Sequence, residues 1–148
     1  MGSRCARCLL RLSFLLAISA PLIAQAPKPP VRIEHAWIRW LPTDVPQAGY
    51  ATLDNVSDRP EILTGASSTA FGEIAVHRTV MRDGTLSMIP ADRIALAPHT
   101  ALDFAAGGYH MMLMRPTQPL HPGDRVPITL HFASGASVTA PFEVRARE

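Results

Sequence analysis

Gly107-Gly108-Tyr109-His110-Met111-Met112-Leu113-Met114-Arg115-Pro116 is the stretch whose reading decides the fold. Two glycines open it and a proline closes it, so it is a short bounded segment. Within it, Tyr109, Met111 and Leu113 alternate with His110, Met112 and Met114. Strand side chains point alternately to opposite faces, so each trio shares a face. The bulky trio Tyr109, Met111 and Leu113 is expected in a core. One imidazole and two thioethers are then left together on the other side.

The same pattern recurs in both directions. Val31–Ile38 begins with period-two alternation, the mark of a half-buried strand. Leu41–Gly49, with two prolines and a glycine, reads as a loop. Tyr50–Asp54 and Glu61–Gly65 read as strands on either side of a turn at Asn55–Pro60. Gly72–Val80 and Thr85–Met88 flank Asp83-Gly84, a strong signal for a tight hairpin. Arg93–Leu96, Thr100–Phe104, Val126–Phe132 and Ser137–Arg145 complete the set. Ile128, Leu130 and Phe132 share one face and belong in the core. No window carries a sustained helical stripe with caps, and Thr69–Ile74 has room for one turn of helix at most. Many short strands separated by Gly and Pro predict an all-β antiparallel sandwich or small barrel, with mixed α+β as the alternative.

The N-terminus predicts export. Arg4, Arg7 and Arg11 precede an apolar stretch from Leu12 to Ile23, which ends at Ala24-Gln25-Ala26. That is the layout of a signal peptide cut after Ala24 or Ala26. The apolar run is shorter than the roughly 20 residues of a membrane span. The expected organisation is therefore a signal peptide at 1–26, a stiff Pro-rich leader at 27–30 and a single β domain at 31–148. Cys5 and Cys8 are the only cysteines and precede the apolar run, which argues against a lipid-attachment cysteine. The exported chain would have no thiol and no disulfide. Loss of three arginines and no acids moves the formal charge from +2 to −1. A basic surface for nucleic acid is thus not expected, nor is a stable membrane span in the mature chain.

Four residues stand out as a donor set: His77, Met88, His110 and Met112. If Asp83-Gly84 closes a two-residue hairpin, Arg82 faces Thr85 and Thr79 faces Met88. His77 then lies diagonal to Met88 on one face, about 7–8 Å away, within reach of long side chains. A slip of one residue would separate them. Met114 shares the His110/Met112 face and Met81 the His77 face, so spare thioethers are close. Imidazole and thioether together suit Cu(I), a soft ion. Thioether needs no deprotonation and forms no disulfide. Without cysteine, a His₂Cys blue-copper centre is excluded.

The spacing His77-x10-Met88-x21-His110-x-Met112 resembles the copper-binding signature of the periplasmic PCu(A)C-type copper chaperones. Similar context surrounds it: a Gly-Tyr-Ala-Thr-Leu strand before Asn55-Val56-Ser57-Asp58, then Thr64–Ser68, then Gly107–Met114. The resemblance runs from about Val31 to Val144. It implies a cupredoxin-like Greek-key β-barrel or sandwich and Cu(I) held by His77, Met88, His110 and Met112. It implies a periplasmic chaperone, not an enzyme. The client would be an apo CuA-containing subunit of cytochrome c oxidase, or another copper chaperone. Two departures stand out. Arg78 follows the first histidine where relatives often carry methionine or an acid. The sequence also ends at Glu148 without the His/Met-rich tail of some relatives, so a second, Cu(II)-binding site is not expected.

Taken singly, methionines in strands are usually core filler. His35, His99, His121 and His131 have no partner by spacing and read as surface or hydrogen-bonded residues. Trp37 and Trp40 read as core and rim aromatics. Asn55-Val56-Ser57 matches a glycosylation triplet but sits where turn residues are common. No Ser/His/acid set or phosphate-binding glycine loop is present. Two other functions fit the same strands and signal: a secreted metal-free interaction module, and copper buffering without a dedicated client.

Overall fold

The computed structural model describes residues 28–42 and 45–146. The expected signal segment, with Cys5, Cys8 and both candidate cuts, lies outside the described residues. Ten strands form one sheet: β1 (Val31–Arg39), β2 (Gln47–Asn55), β3 (Glu61–Ser67), β4 (Phe71–Arg82), β5 (Thr85–Pro90), β6 (Ile94–Leu96), β7 (Ala101–Phe104), β8 (Tyr109–Pro116), β9 (Arg125–Phe132) and β10 (Ser137–Arg145). Their order is β5-β4-β8-β7-β2-β1-β10-β9-β3-β6, with β8 also pairing β2. The all-β expectation holds. Among the described residues no helix is long and apolar enough to cross a membrane.

The sheet is not wholly antiparallel. β1 pairs β10, and β7 pairs β8, in parallel. β1 and β10 come from opposite ends of the domain, and β7 and β8 meet at a single residue pair, Phe104 and Tyr109, so neither pairing is the product of a hairpin turn. The sheet curls until β3 and β4 line the two sides of one hollow, through Thr64, Gly65 and Ala75. Curling encloses the expected core: Met111, Leu113, Ile128 and Leu130 are fully buried, and Phe132 nearly so. Tyr109 is half-buried and packs against that cluster.

Beyond small shifts at strand ends, the structure departs from the sequence expectation in β2, β4 and β1. β2 starts at Gln47 inside the expected loop, because Gln47–Gly49 pair with β8, and Ala48 and Gly49 also pair with β1. The buried Gln47 amide accepts from Leu41 N–H and donates to the Leu41 and Val45 carbonyls, closing the loop before it. β4 starts at Phe71, so Thr69–Ala70 is only a turn. β1 contains a bulge between Glu34 and Trp37, where His35 takes φ 51°. The extra residue changes the inward positions from Val31 and Ile33 to Ala36 and Ile38.

Gly49 is closely packed. A Cβ there would sit 3.3 Å from the Met111 Cβ, so a side chain would push β2 from β8. Asn55 is fully buried and saturated: its amide donates to the Arg59 and Leu96 carbonyls and its oxygen accepts from Ser57. That is a structural role, and it leaves no access for a glycan on Asn55.

Candidate metal centre

The β4–β5 hairpin sets the first half of the site. Asp83 and Gly84 both take positive φ, 50° and 74°, as a two-residue type I′ turn requires. Arg82 consequently pairs with Thr85 and Thr79 with Met88, the register read from the turn. His77, two residues from Thr79, therefore shares a face with Met88. β8 supplies the second half and lies antiparallel to β4, with His77 directly opposite His110 and Ala75 opposite Met112. Residues directly opposite in a ladder project to the same side. The four candidate donors thus come from three adjacent strands onto one face.

The two imidazoles stack, with ring centroids 6.1 Å apart and planes 24° from parallel. His110 is buried, and its Nδ1 lies 3.3 Å from the Gly108 carbonyl oxygen. That oxygen also accepts the Thr79 N–H at 3.1 Å, which pins it in place. Donation from Nδ1–H to this carbonyl leaves the lone pair on Nε2, an arrangement typical of a metal-binding histidine. Gly108 was not singled out from sequence, although its position two residues before a candidate ligand was a usable signal.

His77 differs. Its Nδ1 is buried and has no hydrogen-bond partner. Buried polar atoms are nearly always paired, and one left alone costs about 1–3 kcal/mol. An orphaned ring nitrogen on a face shared with a second imidazole and two thioethers is suited to a soft cation.

Small neighbours make space for the sulfurs. Met112 is flanked across both ladders by Ala75 and Ala48. Met88 projects from the edge strand and is 63% exposed. The donors border two hollows. One, of about 270 Å³, is lined by His110, Met88, Met112 and Thr79. The other, of about 560 Å³, is lined by His77, Met112, Met114 and Asp92. Met112 borders both.

Arg78 faces away from this set. Its guanidinium lies 5.4 Å over the Tyr109 ring, on the opposite side of the sheet. The departure at that position therefore adds no donor and removes none. The remaining histidines of the described domain are engaged or distant. His99 contacts Asp58 at 2.9 Å, and His131 lies between Ser67 at 2.7 Å and Ser137 at 3.1 Å. His121 lies 3.9 Å from Asp124, and His35 sits in the bulge. Among the described residues no three His, Cys, Asp or Glu side chains gather as a metal-holding group. Beyond the paired histidines, the candidate donors that share this face are the Met88 and Met112 thioethers.

A β domain with paired imidazoles and neutral sulfurs on one face defines a class of soft-metal-binding modules. Residues 31–144 match the family described as "Putative lipoprotein LpqE-like", and the chain belongs to that family. One relative, "Putative lipoprotein Lxx21020" of Leifsonia xyli subsp. xyli, is 29% identical over 136 residues, covering 89% of this chain and 80% of its own length. "Uncharacterized protein RP573" of Rickettsia prowazekii is 33% identical over 86 residues, 57% of this chain and 48% of that protein. Among solved structures, the copper-bound PCuAC domain from PmoF2 superposes with a TM-score of 0.66 at 28% identity, covering 79% of this chain and 93% of that one. The CuI-DR1885 structure from Deinococcus radiodurans gives 0.57 at 28% identity, covering 77% and 78%. The fold is thus the cupredoxin-like β fold of PCuAC domains.

Proposed function

We propose that this protein is an exported copper chaperone that carries Cu(I) as cargo on His77, Met88, His110 and Met112. One observation carries the reading: the unpaired, buried Nδ1 of His77 lies on a face shared with His110 and two thioethers. Kinship with copper-bound domains supports it. All four donors are soft or intermediate, and the thioethers bring no charge, so the set favours Cu(I) over oxygen-seeking ions.

Holding and release follow from burial. His110 is buried and oriented by Gly108, so it is a fixed donor. Met88 is exposed on the edge strand and is the donor an incoming ligand can replace. Transfer proceeds by ligand exchange: one copper–sulfur bond to Met88 breaks as one bond to a client's ligand forms. His77, Met88, His110 and Met112 bind as neutral donors and themselves gain or lose no electron or proton, so no catalytic group is needed and the role is that of a carrier, not an enzyme.

The proposed organisation is a cleaved signal at 1–26, a leader at 27–30 and a copper-binding domain at 31–148, working in the periplasm. Lipidation does not follow from the relatives' names, since Cys5 and Cys8 precede the apolar run. The proposed client is the apo CuA centre of cytochrome c oxidase, directly or through a second copper chaperone. Competition for Cu(I) between the domain and a chromogenic chelator tests the site. Stoichiometric uptake is expected, and its survival in the His110→Ala/Met112→Ala double variant would remove the argument. Deleting the gene should lower oxidase activity under copper limitation. Sensitivity to excess copper alone would instead indicate buffering.

A further inference from the structure

The methionines of the described domain differ widely in their access to solvent. Met111 is fully buried, and Met112 and Met114 are half-buried on the other face of the same strand. Met81 and Met88, by contrast, are 64% and 63% exposed. Both belong to the β4–β5 hairpin. Met81 pairs with Leu86 and Thr79 with Met88, so the two methionines are diagonal neighbours on one face. Only Met88 is in the proposed donor set. Cys5 and Cys8 are the chain's only thiols and precede the domain, so an oxidant reaching this domain meets thioether sulfur alone. Oxidation turns that apolar sulfur into a polar sulfoxide. At Met111 the change would disrupt the core. At Met88, exposed on an edge strand, it leaves the packing alone and alters only the donor.

We propose that Met88 is a reversible oxidation site, where a peroxide converts the thioether to a sulfoxide and thereby weakens the hold on copper. This rests on the copper reading above and adds regulation to it. The Met88 sulfur attacks one peroxide oxygen. A sulfur–oxygen bond forms and the O–O bond breaks. The proton on the transferred oxygen passes to the departing hydroxide, which leaves as water. Sulfur loses two electrons and the peroxide gains them. The sulfoxide then offers a hard oxygen in place of a soft sulfur, and that oxygen suits Cu(I) poorly. A dithiol-dependent sulfoxide reductase reverses the step: the oxygen leaves as water and the dithiol becomes a disulfide. Met81 is equally exposed but is not a donor, so its oxidation leaves copper binding unchanged.

Substitution of methionine by leucine nearly conserves volume and is usually tolerated, so Met81→Leu and Met88→Leu isolate the two exposed sulfurs. Purified metal-free protein is treated with hydrogen peroxide, and catalase then removes the excess. Peptide mass spectrometry maps the added oxygen, and Cu(I) affinity is read anaerobically by chelator competition. Met88 should take up oxygen before Met111, Met112 and Met114. Met81→Leu protein oxidised at Met88 should bind Cu(I) about tenfold more weakly, or by about 1.4 kcal/mol. Sulfoxide reductases for both sulfur epimers, with a dithiol that is afterwards removed, should restore the affinity. Met88→Leu protein given the same dose should be oxidised at Met81 and keep its untreated affinity. Oxygen uptake at Met112 or Met114 ahead of Met88 overturns the switch. The underlying reading fails separately: untreated wild type that takes up no Cu(I), or Met88→Leu protein that binds as tightly as wild type, removes Met88 as a donor and the switch with it. Weakened binding in Met88→Leu alongside full affinity in the Met88 sulfoxide overturns only the switch.

Discussion

Replacing His77 with phenylalanine should make the metal-free domain more stable while weakening its hold on copper. The ring that stacks on His110 is kept, and both ring nitrogens are removed. In the metal-free protein Nδ1 is buried without a partner, and such an atom costs about 1–3 kcal/mol. His77 is only partly buried overall, so the lower part of that range applies, about 1–2 kcal/mol. For a domain of this size each kcal/mol moves Tm by about 3–5 °C. His77→Phe should therefore raise the metal-free Tm by about 3–10 °C. Copper reverses the order. A ligand at a hundred times its Kd adds about 2.7 kcal/mol to the wild type, and the variant forgoes most of that. Thermal melts of both proteins, with and without Cu(I), should cross. A variant that is less stable without metal, or that gains as much from copper as the wild type, would refute the view that this nitrogen is held in reserve for a ligand.

Other consequences can be measured separately. Met88→Leu should change chemical stability by less than about 0.5 kcal/mol, since the side chain is exposed. It should nevertheless speed release of Cu(I) to a chelator in stopped-flow measurements; an unchanged rate would deny Met88 its role as the exchangeable donor. Leu113→Ala, at a fully buried position behind the site, should cost about 2–5 kcal/mol in urea unfolding. Gly49→Val places a Cβ 3.3 Å from Met111 and should cost about 1–3 kcal/mol, with weaker copper binding as β8 shifts. Glu143 is held below the usual carboxylate range by its hydrogen bond to Arg145 and that residue's charge. Its contribution is present above that range and is lost as pH falls through the lowered value. Glu143 and Arg145 form a solvent-screened pair at the surface, so Glu143→Gln should flatten the acid limb of a pH–stability curve only slightly and leave copper affinity unchanged.

Much of the architecture was legible because strand signals are local. Alternation along Tyr109–Leu113 and Val126–Phe132 assigned their inner faces, and Asp83-Gly84 specified a turn and hence a register. The register mattered most. It put Met88 and His77 on one face before β8 was considered. The β1 bulge was also encoded, since the apolar positions change parity between Ile33 and Ala36, yet that change reads equally as the end of a strand. The early start of β2 was hidden because Gln47–Gly49 resemble a loop until β1 and β8 lie on either side of them. Likewise, the parallel β1–β10 pairing joins the ends of the domain, which no short-range pattern can specify.

The chain's own order of residues determined which atoms could serve as donors and which pairs shared a strand face, because side-chain alternation and turn geometry operate over a few residues. Only the closed fold placed His77 opposite His110, left one ring nitrogen unpaired while Gly108 engaged the other ring, and set Met112 between two hollows. Those relations join segments tens of residues apart. They depend on how the sheet curls and on which neighbours are small enough to leave room, and burial exists only after the strands have come together.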